Sequence, residues 1–266
     1  MHINKIINLF RQKISASTIC SQLNFLHDLD SEEPRELPPA EKRIFVFWTG
    51  ENSMSKARAS CLDNIRKLSG VPVILITPEN LKDFIVQQHP LPQEFNHLSL
   101  VHKSDYLRSY FMYHHGGGYC DIKSIRHSWI NAFDKLNNER YKSGLGYQEL
   151  KKGVGLIRND NEYPQKNVAT VNSSMQNYYY NLIGNCAYIF KPKSLIFERL
   201  LLEQERRLKL HSEELIRHPG NILGDNPGYP LRWTYILGQI FHPIVFIRKD
   251  DLIQDNSIMP IFKNYR

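Results

Sequence analysis

Several kinds of chemistry are missing from this chain of 266 residues. Its four cysteines, Cys20, Cys61, Cys120 and Cys186, are widely spaced and form no Cys-x-x-Cys pair. That excludes the usual zinc and disulfide frameworks and points to a reducing compartment. No apolar run is long enough to span a bilayer, and no secretory leader with an apolar stretch and cleavage site is present. The expected location is the cytoplasm, with peripheral attachment to the inner face of the cytoplasmic membrane as the alternative. There is no His-Glu-x-x-His, Gly-x-Ser-x-Gly or P-loop pattern, so the common signatures of zinc proteases, serine hydrolases and P-loop nucleotidases are absent. Internal repeats and low-complexity tracts are also missing. Acidic residues are in deficit, 27 against 34 Lys and Arg, for a net charge of +7. This favours an anionic partner: nucleic acid, anionic lipid or a phosphate-bearing substrate. The basic residues are dispersed and form no recognition motif, which sets nucleic acid aside.

Hydrophobic residues make up 41% of the chain and charged residues 23%, enough apolar material for a globular core. Residues 1–26 read as a separate piece. Ile3, Ile6, Ile7, Phe10 and Ile14 recur near helical spacing, with Lys5, Arg11 and Lys13 elsewhere on the turn. A basic amphipathic helix of this kind can lie on an anionic membrane or pack on the protein's own body. "DLDSEEPRELPPAEK" then reads as an acidic, proline-bearing linker, giving an N-terminal unit of 1–41 and a body of 42–266.

In the body, "RIFVFW" and "VPVILI" read as buried strands. Between them Met54, Ala57, Cys61, Ile65 and Leu68 mark a helix that Gly70 stops. Thr77 and Pro78 read as the start of a helix to Gln88. A further helix spans residues 98–115, its buried side marked by Leu100, Ser104, Leu107 and Phe111, and "GYCDI" is a strand. His114 and His115 read as C-terminal helix residues favoured by the dipole rather than as metal ligands. Beyond them, "NLIGNCAYIFKP" reads as a strand, residues 193–210 and 229–241 as helices, and "PIVFIRK" as a last strand. Alternating strands and helices predict an α/β fold with helices on the faces of a largely parallel sheet.

The most informative stretch is "KSDYLRSYFMYHHGGGYCDIK", residues 103–123. Val101, Asp105, Arg108 and Met112 share a helical stripe, so Asp105 and Arg108 point the same way. Alone, they read as an exposed ion pair worth about 0.3–0.5 kcal/mol. Gly116, Gly117 and Gly118 exceed what a helix cap needs and suggest backbone pressed against something, which at a strand end is often a ligand. Residues 218–233, "HPGNILGDNPGYPLRW", are rich in turn-formers and could place His218, Asp225, Arg232 and Trp233 near phosphate or acceptor, or form an ordinary surface loop. "NSSMQNYYYNLIGN" reads as an acceptor-groove lining or a strand with a polar edge.

"SDYLR…GGGYCDIK" resembles the "SDxLR…GGxYxDxD" segment of glycosyltransferases whose sugar-binding region contains a DXD motif. This is the family of capsular polysaccharide synthesis proteins, related to the glucosylating domain of clostridial toxins. "RIFVFWTG" resembles that family's first strand, and the likeness is clear over residues 42–125. It implies a GT-A-like, Rossmann-type mixed sheet flanked by helices. It also implies a nucleotide-sugar donor, a glycan or glycolipid acceptor, and sugar transfer of hexosyltransferase type, with retention, in capsule, lipopolysaccharide or related glycan synthesis. Carried over, Trp48 stacks on the nucleobase, and Asp105 and Arg108 hold the donor with Gly117, Gly118 and Tyr119. Asp121 is the first acid of the motif, near ribose and metal. The second acid is Lys123 here, so either Asp121 and loop residues from the C-terminal half hold a divalent Mn or Mg ion, or Lys123 supplies the charge itself. The alternative is a non-catalytic nucleotide-sugar or glycan-binding module.

Overall fold

The computed structural model describes residues 19–158 and 162–265 and places six strands of them in one mixed sheet. These are β1 (Ile44–Phe47), β2 (Val73–Ile76), β3 (Gly117–Cys120), β4 (Gly144–Gln148), β5 (Ile183–Phe190) and β6 (Leu252–Gln254), in the spatial order β2-β1-β3-β5-β4-β6. β1 runs parallel to β2 and β3, and β4 parallel to β6, while β5 is antiparallel between β3 and β4. The carboxyl ends of β1 to β4 therefore meet the start of β5 at one edge. The helices, in chain order, are α1 (Lys56–Leu68), α2 (Leu100–His114), α3 (Ile130–Asn137), α4 (Gln165–Asn177), α5 (Leu195–Leu210), α6 (Ser212–Arg217) and α7 (Gly238–Ile247).

Strand side chains alternate between two cores. Ile44, Val46, Cys120, Ala187 and Ile189 pack with Cys61, Leu62 and Ile65 of α1 and Phe133 and Leu136 of α3. Phe45, Phe47, Tyr119, Tyr188 and Phe190 face the larger core, with α2, α4, α5 and α7. α2 is buried on most of its circumference because it lies between the sheet and α5. Its first turn is capped by Ser99, whose side chain accepts from the His102 N–H.

At the other end of α2, the amides of His115 and Gly116 both donate to Phe111 O, at 2.8 and 3.1 Å. Gly116 and Gly117 then take φ of +61° and +90°, which side chains disfavour, and the chain turns into β3 within two residues. A Cβ on Gly116 would lie 2.6 Å from the Pro192 ring, and one on Gly118 would crowd Ile44 and Trp129. The glycines are pressed against protein and not, as expected from sequence, against an open ligand surface.

Five further expectations change. Residues 78–88 form a turn and a 3-10 segment, Leu81–Phe84, because the Asn80 side chain accepts from Thr77 N and donates to Leu75 O. Of residues 229–241, those before Gly238 are turns and irregular backbone leading into α7, and "PIVFIRK" lies mostly in α7, with Pro243 inside the helix. A helix apolar all round is a buried one, and α7 is buried along its whole length. The polar stretch before β5 is the end of α4 and a 3-10 turn, not a strand. The expected amphipathic helix falls mainly on residues 1–18, outside the described residues. Ile19, Cys20, Leu23, Leu26 and Leu29 are buried in the larger core, so residues 19–29 lie within the body rather than apart from it. The linker is tied down too: Arg248 Nη1 donates to Leu29 O (2.9 Å) and Glu32 O (2.5 Å).

Candidate functional site

Two acids and two bases meet where β3 ends beneath α2. Arg108 is the hub. Its Nη2 lies 2.9 Å from Asp105 Oδ1 and 3.6 Å from Asp121 Oδ1, and its Nη1 donates to Asn185 O at 3.0 Å. The guanidinium stands 4.6 Å from the centre of the Tyr119 ring. Asp105 and Arg108 are 6% and 7% exposed, so the surface ion pair expected from spacing is a buried one. The two differ physically, because breaking a buried pair leaves an uncompensated charge.

Asp121 follows β3 directly, and its amide donates to Cys186 O on β5 at 2.8 Å. Its Oδ1 accepts from the Tyr119 hydroxyl at 2.5 Å, and its Oδ2 takes the Lys123 ammonium. Lys123 also donates to Cys186 Sγ at 3.3 Å. The Phe262 and Tyr265 rings close over its ammonium, with centroids 5.4 and 5.0 Å away. Arg58, from α1, also approaches the Tyr265 ring, 4.8 Å from its centre, and donates to Ile122 O at 2.6 Å.

These contacts set the charge states. Burial would raise the Asp121 carboxyl, but Lys123 and Arg108 outweigh it and hold the group well below the usual carboxylate range. Burial would lower the Lys123 ammonium, but Asp121 outweighs it and holds the pKa above the usual lysine value. For Asp105 burial wins: despite Arg108, and with Asp121 adding to it, its pKa rises to about 6. The Cys186 thiol is pushed up to about 12 by burial and by Asp121, despite Lys123 and Arg108.

Tyr119 supports this cluster from the core. Gly117 and Gly118 are buried in β3 and touch protein. Trp48, just after β1, is half-buried, and its indole N–H donates to Asn52 O at 2.7 Å. The neighbouring Thr49 and Gly50 line a surface cleft of about 410 Å³ with Pro78, Lys103 and Ile222. An adjoining cleft of about 200 Å³ is lined by Thr49, Ile76, Pro78, Phe95, Lys103 and Leu107. Both clefts use the Leu100–Lys103–Leu107 side of α2, whereas Asp105 and Arg108 stand on its other flank. The chemistry assigned from sequence and these two clefts therefore sit on two sides of one helix.

Residues 218–233 pack on the start of α2. Asn221 O and Ile222 O accept from the amides of Leu100 and Val101, each at 3.3 Å, satisfying two donors of the first turn. His218, Asp225 and Trp233 are all exposed, and Asp225 accepts from Asn221 Nδ2. None of the three makes a contact with the Asp121 cluster. The residue that ties the loop down went unread in the sequence. Buried His102 donates from Nε2 to Arg232 O (3.1 Å) and accepts at Nδ1 from Tyr229 Oη (2.8 Å). Burial pushes its pKa down to about 4 against the backbone hydrogen bonds that raise it. A second unread group lies behind Arg108. Gly155 N–H donates to His242 Nδ1, so the proton sits on Nε2, 3.4 Å from both Glu149 Oε2 and the Asn185 amide. No motif marks these residues, since β4, β5 and α7 bring them together from distant sequence.

A divalent cation is a poor match for this donor set. Hard cations take six or more oxygens. Asp121 is the carboxylate that follows β3, and both its oxygens already take cationic or hydroxyl donors, while Asp105 is tied to Arg108. No group of three His, Cys, Asp or Glu side chains suited to a metal occurs among the described residues.

Comparison with known proteins bears on this same segment. The family model described as "Capsular polysaccharide synthesis protein" matches residues 2–123. The match spans β1, β2, β3 and α2, and its last residue is Lys123. The family resemblance read from "SDYLR…GGGYCDIK" therefore stands. No curated protein matches the chain. Among solved structures it is similar to "PaToxG Glycosyltransferase", with 14% identity over 90% of this chain and 78% of that one, at a TM-score of 0.36.

Proposed function

We propose that this chain is a glycosyltransferase of GT-A type, acting in capsular polysaccharide, lipopolysaccharide or related glycan synthesis. It would transfer a sugar, of hexosyl type and with retention, from a nucleotide diphosphate donor to a hydroxyl of a glycan or glycolipid acceptor. The observation that carries this reading is the Asp105–Arg108–Asp121–Lys123 cluster at the carboxyl edge of the sheet, within the segment matched by the family model. Ligands of open α/β sheets bind at that edge.

The chemistry follows from the residue types. A carboxylate accepts from sugar hydroxyls, and a guanidinium donates in a fixed fork to phosphate or hydroxyl oxygens. As the glycosidic bond breaks, negative charge grows on the departing diphosphate, and preorganised cations there lower the barrier most. Arg108 and Lys123 are such cations, each held in place by a carboxylate. In this reading Trp48, Thr49 and Lys103 would take the nucleoside end near the β1 and β2 termini.

A second reading, a binding module without transfer, is favoured by one observation: the four charges already neutralise one another and are largely buried. A panel of nucleotide sugars, followed by thermal shift and by release of nucleoside diphosphate, separates the two. A ligand at about 100 times its Kd adds about 2.7 kcal/mol of stability. Stabilisation with turnover supports the transferase, stabilisation without hydrolysis or transfer supports the module, and no stabilisation by any nucleotide sugar sinks both.

We further propose a cytoplasmic location with the basic segment that carries Lys5, Arg11 and Lys13 resting on an anionic membrane surface. No helix among the described residues is long and apolar enough to cross a membrane.

A further inference from the structure

We infer that the Lys123 ammonium, clamped on Asp121, serves in place of a divalent cation at the donor diphosphate, so that nucleoside diphosphate binding by this chain is independent of metal. The inference rests on the glycosyltransferase reading above. Its basis is the mismatch between the donor set and a cation. Where position 123 carries an acid, two carboxylates two residues apart can share an ion. Here the second position supplies a positive charge, and that charge occupies Asp121 Oδ2.

The lysine is built in. Asp121, Cys186 Sγ and the faces of Phe262 and Tyr265 surround its ammonium on several sides. Such a cage removes rotamer freedom before a ligand arrives, which a surface lysine would lose on binding. Tyr265 also contacts Arg58, which donates to Ile122 O, so Arg58, Arg108 and Lys123 converge on the turn after β3. These three cations face two carboxylates, Asp105 and Asp121, leaving one positive charge in excess. A dication brought to that point is repelled, whereas a diphosphate is attracted. The raised pKa of Asp105 acts in the same direction, since its protonation increases the excess. Asp121, with a side chain 19% exposed, is the most open of the four and gives the approach to Lys123.

The test is calorimetric titration of the full chain with nucleoside diphosphates and inorganic pyrophosphate, in EDTA and in manganese. Wild type should bind at least one nucleoside diphosphate with the same Kd, within about threefold, in both conditions. Lys123→Met should weaken binding about ten- to a hundredfold in both, the range for one charge-assisted contact, while Lys123→Arg keeps most of it. Lys123→Asp should bind weakly in EDTA and recover in manganese. Circular dichroism checks that each variant is folded, and Lys123→Arg preserves the ion pair if Lys123→Met does not fold. Binding by wild type only in manganese, or a folded Lys123→Met with unchanged affinity, overturns the inference and leaves the glycosyltransferase reading standing. No binding by wild type in either condition overturns that reading and the inference with it.

Discussion

Arg108 shows how one residue can be needed for the fold and the site at once. Its guanidinium compensates Asp105 and Asp121, caps the Asn185 carbonyl and covers the Tyr119 ring. Removing it leaves two carboxylates in a largely buried place, a change that typically costs about 3–5 kcal/mol. Arg108→Ala should therefore lower stability by that order in urea unfolding as well as abolish transfer. A loss below about 1 kcal/mol would mean that water reaches the cluster freely. Asp105→Asn is the cleaner probe of chemistry. It keeps the shape and mimics the protonated acid that burial favours, so stability should match wild type within about 1 kcal/mol at about pH 4 or below, while donor binding at neutral pH falls. Linkage gives the sign. The unfolded group ionises near 3.9 and the folded one near 6, so the wild-type protein loses stability from Asp105 as pH rises between these values, and Asp105→Asn should not. Parallel stability curves for the two proteins across that window would refute the assignment.

At the scale of elements, the start of α2 is where the loop of residues 218–233 meets the body, and neutral His102 is the joint. Its folded pKa near 4 lies below the unfolded 6.5, so the unfolded chain binds the proton more readily between those values. Stability from His102 is complete above pH 6.5 and is lost as pH falls towards 4, by an amount on the order of 2–3 kcal/mol. His114 acts in the same sense and Asp105 in the opposite one, so only a variant isolates the effect. His102→Gln should flatten melting temperature against pH between 4 and 6.5 relative to wild type, at some cost in stability at pH 7. An unchanged slope would mean that the loop opens before His102 is charged. Which elements were legible follows from local chemistry. β1, β2, α1 and α2 carry apolar patterns bounded by turn-formers. β4 was passed over because Gly144 and Gly146 interrupt its pattern, and both are small for tertiary reasons: Cβ atoms there would strike Phe190 and Ile183. In α7, an unbroken apolar run has no period to read. Asp105, Arg108, Asp121 and Lys123 were legible because one helix and the turn just after the next strand carry them all. Cys186, Asn185, Phe262 and Tyr265 were not, because β5 and the C-terminal segment bring them from far along the chain with no motif of their own.

At the scale of the whole molecule, the open matter is how the first thirty residues divide between fold and surface. Ile19, Leu23, Leu26 and Leu29 are wholly buried or nearly so, and the Asn24–Leu26 turn packs against α5. Truncating a buried leucine to alanine costs about 2–5 kcal/mol, against a total stability of about 5–15 kcal/mol for a typical domain. Leu26→Ala should therefore show a loss in that range in urea unfolding, and deletion of residues 1–26 should give a chain that does not fold. A membrane test by such a deletion would confuse loss of attachment with loss of structure. Reversing charge at Lys5, Arg11 and Lys13 to Glu is the better experiment, since each basic residue near an anionic surface contributes about 1 kcal/mol of attraction. If the segment rests on the membrane, the triple variant should melt like wild type, keep donor binding and no longer sediment with phosphatidylserine vesicles. Retained sedimentation would remove the basic segment from membrane attachment. A melting temperature lowered by many degrees, with vesicle binding intact, would place these three side chains against the body, as Leu23 and Leu26 already are.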